Sequence, residues 1–529
     1  MKPRIIFLLN SIDVDRGGLT HACLRQASTF ADAGYDTQIL TFRHETRFPI
    51  ICNTLVELDK VSPNVTIRNM FEDRGGYTDK NTSSLEELYF DKNRYSEKYE
   101  IAEAKNFNGY SLLKDGILHK TAVLRKDNTL DYIDYFDENR FKYQRDLFNY
   151  YNHLSRRQYY SEENKKVKQV DFYDQFENPF LKIWYNTDTM KANKVLNLSP
   201  SQELITETTG NETVHKKYWL KSIIDESSKH TVIISDTRST DYLLTKFDYK
   251  NAKKVLRLHS NHLKNPDDIY SGLTGKNKYL IENIQNVDAI AVLTEKQKSD
   301  IVERFGQDEK IHVIPNYTEV HVPRITGIRS TIAYTRYKRN YIKTRDLNKV
   351  VIVSRFSKLK NITHSIKAFS KVVQHVPEAK LEIWGHGNYS KEYEQEIKKL
   401  NLNKSVKLKG YTRKPNKVYQ SAAFSLMTSR SEGFSLGVME SMVNGAPVIS
   451  YDISYGPSDM IIDGENGILV EKGNIDELAD KIIYLLQNKD LNRKMGHKAR
   501  KYINTHFSKK SYQKKWFSLA ESLVQKKDS

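Results

Sequence analysis

The chain has 529 residues, too many for one hydrophobic core, and its 38% hydrophobic and 28% charged composition excludes a wholly disordered or membrane-embedded protein. Lys and Arg outnumber Asp and Glu by 84 to 66, and this net charge of +18 favours a polyanionic partner: nucleic acid, an anionic membrane face or an anionic polymer. Two cysteines, Cys23 and Cys52, provide no disulfide framework and suit a reducing compartment.

The chain opens on "MKPRIIFLLNSIDVDRGG", a basic start and a short apolar run that ends in polar residues without a small-residue cleavage site. The run is far too short to span a bilayer, so a buried first strand is expected, in a cytoplasmic protein with at most peripheral association with the inner membrane face. Gly17-Gly18, a helical pattern over 20–33 and the strand "DTQILTF" complete a β-loop-α-β unit. The same alternation returns at "HTVIISD", "KKVLRLHS", "VDAIAVLTEKQKSDIVERFG" and "IHVIPN", and a second series runs from "KVVIVSRF" through "AKLEIWGHG", "SVKLKGY", "FSLMTS", "APVISYD" and "NGILVE". The expected fold is α/β, with two doubly wound, Rossmann-like domains.

Two stretches break the alternation. Residues 79–215 are rich in Tyr, Phe, Asn and charge, and runs such as "LDYIDYFDENRFKYQRDLFN" alternate polar and aromatic residues about turn signals, which predicts an inserted antiparallel sheet. Residues 318–348 are basic and without period, as expected of a linker. The resulting division is 1–78 and 216–317 for the first domain, 79–215 for the insert, 318–348 for the linker, 349–507 for the second domain and 508–529 for a terminal helix. That helix carries Tyr512, Trp516 and Leu519 on one side and lysines on the other, a packed helix with a solvated basic face rather than a membrane-binding one.

Chemistry concentrates where loops follow strands of the second domain. In "SRSEGFSLGVMESMVNGAPVISY", residues 429–451, Glu432 lies in a loop and Glu440 on the helix after it. A helix N-terminus at Phe434, Ser435 and Leu436 offers amides to phosphate, and the carboxylates can accept hydrogen bonds from sugar hydroxyls. "SRFSKLKN", residues 354–361, follows the first strand of that domain, and its Arg355 and Lys360 can neutralise a diphosphate. Together the loops describe a nucleoside-diphosphate pocket. In the first domain "RLHSNH" supplies His259, the favoured candidate, and His262 at a strand end.

Arg355 with Lys360 and Glu432-x7-Glu440, together with Gly17-Gly18, "GHG" at 385–387 and "GPSD" at 456–459, resemble the signature of retaining GT-B glycosyltransferases of family four. "DVDRGGLT", "YFDENRF" and "DISYGPSDMIIDGENGILVE" are similar to the bacterial wall teichoic acid α-glycosyltransferases. The resemblance implies transfer of glucose or N-acetylglucosamine from a UDP-sugar to a polyol-phosphate polymer. It assigns the ribose to Glu440, the diphosphate to Arg355 and Lys360, the hexose to Glu432 with Phe434, Ser435 and Leu436, the donor sugar to His259, and close backbone approach to Gly17 and Gly18. It makes the first domain the acceptor side, and implies a homotrimer through the insert and no nucleic acid. Relatives commonly carry an acidic residue where His386 stands between Gly385 and Gly387. No cofactor or metal is expected, since Asp13-Val14-Asp15 reads as a loop and the countercharge is already present. Two other readings remain: a protein O-glycosyltransferase for serine-rich proteins, and a non-catalytic polyanion-binding protein using "AYTRYKRNYIK".

Overall fold

The computed structural model describes residues 2–15, 18–77, 90–210, 213–318 and 345–525. Most of the basic stretch expected to be a linker lies outside them. The chain divides into two compact units, one of residues 1–255 with the chain end from Leu523, the other Leu256–Ser522.

In a seven-stranded sheet Arg4–Leu9 is an interior strand, paired in parallel with Thr37–Thr41 on one side and Thr231–Ser235 on the other. All six residues of Arg4–Leu9 are buried, which is why the strand reads as a continuous apolar run rather than an alternating one.

The insert is a ten-stranded antiparallel meander running from Glu100–Glu103 to Leu204–Thr209, each strand pairing with the next. Its turns share one device, repeated about every twelve residues from Asp137 through Asn149, Ser161, Asp174 and Asn186 to Ser199. In each, a later turn residue has positive φ, as at Arg140, Asn152, Lys165, Glu177, Met190 and Gln202. The leading side chain often holds the returning strand: Asp137 Oδ1 accepts from the Phe141 amide at 2.8 Å, Asn149 Oδ1 from His153 at 2.9 Å and Asp174 Oδ1 from Asn178 at 2.8 Å. Cross-strand forks hold the sheet face, with Arg145 to Asp134 at 2.6 and 2.7 Å and Arg157 to Asp146 at 2.6 and 2.8 Å. The tyrosines serve as cation platforms; the Tyr132 ring lies 3.8 Å from the Arg145 guanidinium, and Lys120 stands 4.9 Å from both Tyr99 and Tyr135.

In the second unit six parallel strands take the order Val406–Gly410, Lys380–Trp384, Asp346–Val353, Ala422–Met427, Val448–Tyr451, Ile468–Val470, the doubly wound arrangement expected. The order reverses between Asp346–Val353 and Ala422–Met427, and this junction positions the site. The terminal helix Lys509–Gln525 buries Tyr512, Trp516 and Leu519. Buried Arg257 lies 5.9 Å from the Tyr512 ring and 5.5 Å from that of Trp516, and its guanidinium donates to Asn316 Oδ1 at 2.8 Å. No helix among the described residues is long and apolar enough to cross a membrane. Neither Cys23 nor Cys52 forms a disulfide, and burial pushes the Cys52 thiol up to about 12, so it stays protonated.

Candidate active site

Residues 354–361 and 428–435 follow the two strands that flank the reversal, at their carboxyl ends, where open α/β sheets bind ligands. The loops are bonded to each other. The Arg430 amide donates to the Leu359 carbonyl at 2.8 Å, and Thr428 Oγ1 donates to the Asn361 carbonyl at 3.1 Å. Above this framework Lys360 Nζ lies 2.5 Å from Glu432 Oε1, with the two side chains 21% and 13% exposed. Both members of the pair are sheltered from bulk water, which strengthens a charge-assisted bond of this kind over an exposed one. Arg355 lies exposed in the same loop as Lys360.

Backbone contact explains the "GHG" motif. A Cβ at Gly385 would lie 1.8 Å from the Ser354 carbonyl oxygen, and one at Gly387 would lie 2.2 Å from that of Phe356. Both residues have φ values open to glycine, 146° and 154°. The Phe356 amide donates to the His386 carbonyl at 2.9 Å, so this turn carries the start of the Arg355–Lys360 loop. The exposed His386 ring meets the Tyr411 ring edge-on, with centroids 5.5 Å apart.

The helix Leu436–Val443 begins beside Glu432 in sequence, and its stop at Asn444-Gly445 is the one expected. Phe434, Val438, Met439 and Met442 are buried with Leu293 and Phe507, which anchors the helix from beneath. Ser435 caps it in the left-handed region at φ 62°, and its hydroxyl is buried with no hydrogen-bond partner. An orphaned hydroxyl beside free helix amides fits a phosphate oxygen. Glu440 is half-buried on the same helix, and the buried Tyr419 hydroxyl has its pKa raised by burial and then by the charge of Glu440.

The two histidines have different surroundings. His259 is half-buried, and its carbonyl oxygen would lie 2.5 Å from a Cβ on Gly433, so this strand end touches the Glu432 loop. Asn261, two residues on, donates from Nδ2 to Ser431 Oγ at 3.1 Å. His262 is fully buried, with neither ring nitrogen hydrogen-bonded, and burial lowers its pKa to about 4. It is therefore a neutral core residue, 5.8 Å from the Tyr455 ring. Sequence reasoning missed Asn261 and the buried link in which Tyr455 donates to Asp300 Oδ2 at 2.7 Å. Asn261 stands in the quoted "RLHSNH", but its partner is 170 positions away in the chain. Tyr455→Phe leaves one oxygen of buried Asp300 unmatched and is expected to lower unfolding stability by about 2 kcal/mol, read from denaturant midpoints; an unchanged midpoint would refute that role.

Of the remaining candidates, Gly18 begins the helix Gly18–Asp32 in the first unit, and Gly17 lies outside the described residues. In the "GPSD" motif the Gly456 amide donates to Asp459 Oδ2 at 2.9 Å. A Cβ on Gly456 would lie 2.7 Å from the Phe434 backbone, so the motif buttresses the Glu432 loop. Among the described residues no three His, Cys, Asp or Glu side chains are grouped to hold a metal ion.

Two Rossmann-like domains with a phosphate-ready crevice at the strand-order reversal define a glycosyltransferase of the GT-B class. Residues 334–502 match the family described as glycosyl transferases group 1, and the chain is an enzyme with that domain. Along its whole length it is similar to the poly(ribitol-phosphate) alpha-N-acetylglucosaminyltransferase of Staphylococcus aureus, 29% identical with 98% of this chain and 100% of that one covered. It is 25% identical to the poly(glycerol-phosphate) alpha-glucosyltransferase of Bacillus subtilis, covering 98% of this chain and 75% of the relative. A crystal structure of a point mutant of S. aureus TarM, in complex with fondaparinux, alpha-GlcNAc-glycerol and UDP, superposes with a TM-score of 0.77 at 28% identity, covering 98% of this chain and 100% of that one.

Proposed function

We propose that the protein is a wall teichoic acid α-glycosyltransferase, moving glucose or N-acetylglucosamine from a UDP-sugar to hydroxyls of a polyol-phosphate polymer with retention of configuration. The observation that carries this reading is that the likeness to the S. aureus poly(ribitol-phosphate) enzyme spans the insert as well as the donor crevice. The donor diphosphate lies between Arg355, Lys360 and the N-terminus of Leu436–Val443, where the amides of Phe434 to Leu436 and the Ser435 hydroxyl meet phosphate oxygens. Glu440 holds the ribose, Glu432 and His259 the hexose. A UDP-sugar carries its hexose α-linked, and an α-linked product requires that the new bond form on the face the diphosphate leaves. The C1–O bond to phosphate breaks, the acceptor oxygen bonds to C1, and the acceptor proton passes to the departing phosphate oxygen. Arg355 and Lys360 stabilise the charge that develops there, and the reaction then needs no metal. A second part of the proposal is a homotrimer joined through the inserted sheet, whose last strand has one edge unpaired among the described residues and exposes Leu204 and Ile205.

The test is UDP release from UDP-glucose or UDP-N-acetylglucosamine, each with poly(glycerol phosphate) or poly(ribitol phosphate), in the presence of EDTA. Polymer-dependent release with one donor is the expected result. Release only with a serine-rich polypeptide would reassign the acceptor, and release abolished by EDTA would overturn metal independence.

A further inference from the structure

The strand end His259-Ser260-Asn261 touches the Glu432 loop twice, by backbone at Gly433 and by the Asn261 to Ser431 bond. Its own support comes from two buried side-chain amides. Gln297 donates from Nε2 to the Ser260 carbonyl at 3.0 Å. Asn277 donates from Nδ2 to the Asn261 carbonyl at 2.8 Å and to Ser260 Oγ at 3.1 Å. Three acceptors on two adjacent residues are thereby held where those residues meet the loop.

Both amides stand at the third position of a helix that follows a threonine. Thr274-Gly275-Lys276-Asn277 opens Gly275–Glu282, and Thr294-Glu295-Lys296-Gln297 opens Glu295–Phe305. A third-position glutamine after such a cap can turn back to the amide of the cap residue and close the helix end. Gln297 turns away instead: Thr294 Oγ1 accepts from its backbone amide at 3.1 Å, while its side chain crosses to a strand end 37 positions earlier. The crossing leaves Gln297 Oε1 buried without a hydrogen-bond partner, and Thr274 Oγ1 and both ring nitrogens of His262 share that condition. Unmatched buried polar atoms weaken a fold, so stability alone does not favour an amide at position 297. A methionine there would fill similar volume without an unmatched acceptor, and what it would lack is the donor that Ser260 receives. The same helix is fixed to the residues that back the loop, since Asp300 accepts from Tyr455 at 2.7 Å and the neighbouring Gly456 packs on the Phe434 backbone.

We infer that Gln297 and Asn277 are positioning residues for sugar transfer, which hold the corner at His259-Ser260-Asn261 against the Glu432 loop so that both meet the donor hexose in one geometry. The inference rests on the reading that places the hexose at His259 and Glu432. Both amides are buried, so each acts through the corner rather than on the donor. Loss of either lets the corner recede, and the loop, bonded to it through Ser431, follows. A shift of about 1 Å in groups that orient the reacting sugar costs on the order of a hundredfold in rate. Arg355 and Lys360 lie on a different loop, 354–361, so the hold on the diphosphate is less affected.

The experiment uses the full chain, with Gln297→Met and Asn277→Leu as independent variants. Each is expected to lower kcat about thirtyfold and to leave Kd for UDP within about threefold of wild type. Gln297→Met is expected to melt no lower than wild type, because it removes an unmatched acceptor together with the donor. Lower turnover in a protein at least as stable is a result that a merely structural role would not give. Hydrogen exchange of the amides of residues 429–436 is expected to be faster in both variants, with that of residues 354–361 unchanged. Wild-type kcat in both variants, or a kcat that falls only in step with the fraction of folded protein, would overturn the inference, as would unchanged exchange over residues 429–436. Should the wild-type protein bind neither UDP-glucose nor UDP-N-acetylglucosamine, the donor reading fails, and faster exchange in the variants would still show that the two amides set the loop.

Discussion

Lys360→Ala is expected to lower kcat/KM for sugar transfer by about a thousandfold, the scale seen when a group that stabilises transition-state charge is removed from a preorganised site. Lys360 sits where the chain cannot easily offer a substitute. It ends the short 3-10 turn Lys358–Lys360, and the next residue, Asn361, takes the left-handed conformation at φ 50° to start the helix Ile362–His375. Thr428 Oγ1, bonded to the Asn361 carbonyl, holds that corner against the neighbouring loop. Alanine keeps this backbone and deletes only the ammonium. It also leaves Glu432, 13% exposed, without its countercharge where a diphosphate must enter, so donor repulsion adds to lost attraction.

The two contributions can be separated. Glu432→Gln in the Lys360→Ala background removes the repulsion and is expected to recover donor binding by about tenfold, while Glu432→Gln alone is expected to impair transfer by weakening the proposed hexose contact. Lys360→Arg should not restore the wild-type rate, since the guanidinium fork cannot occupy the place of a compact ammonium held 2.5 Å from a carboxylate. Transfer by Lys360→Ala within threefold of wild type would remove Lys360 from the chemistry.

Much of this site was legible because parallel strands buried on both faces leave unbroken apolar runs. "RIIFLL" and "KVVIVS" end at loops, and loops after such strands are where ligands bind. Arg355, Lys360 and Glu432 could thus be placed from local pattern alone. His259 and His262 could not be ordered in that way: His262 is removed from solvent in the company of Tyr455, nearly two hundred residues later in sequence. The glycines of "GHG" read as a ligand motif, yet the pressure on them comes from the Ser354 and Phe356 carbonyls of a neighbouring strand end. In the insert the aromatic alternation announced strands, but the spacing of Asp137, Asn149, Ser161, Asp174, Asn186 and Ser199 went unread. That spacing is one strand plus one turn, and at Asp137, Asn149, Asp174 and Ser199 a short polar side chain receives an amide where the chain returns.

Gly433→Ala is expected to lower kcat/KM by about a hundredfold while changing the melting temperature little, because its added methyl displaces a loop rather than emptying a core. The new Cβ would lie 2.5 Å from the His259 carbonyl oxygen and 2.6 Å from Ser260 Cα, backbone atoms that cannot rotate aside. The loop must therefore retreat from the strand end, stretching the Asn261 to Ser431 bond and drawing Glu432 from Lys360. Gly437→Ala is the internal control. Its Cβ meets the Tyr419 hydroxyl at 3.5 Å and the Val353 carbonyl oxygen at 3.8 Å, ordinary contact distances inside a helix where alanine is favoured over glycine. If both variants transfer sugar as the wild type does, close approach of this loop to His259 has no bearing on catalysis; if both fail equally, the helix N-terminus rather than that approach is the sensitive element. Loss in Gly433→Ala alone would show that the strand end bearing His259 and the Glu432 loop must touch for the donor to be held in a reactive pose.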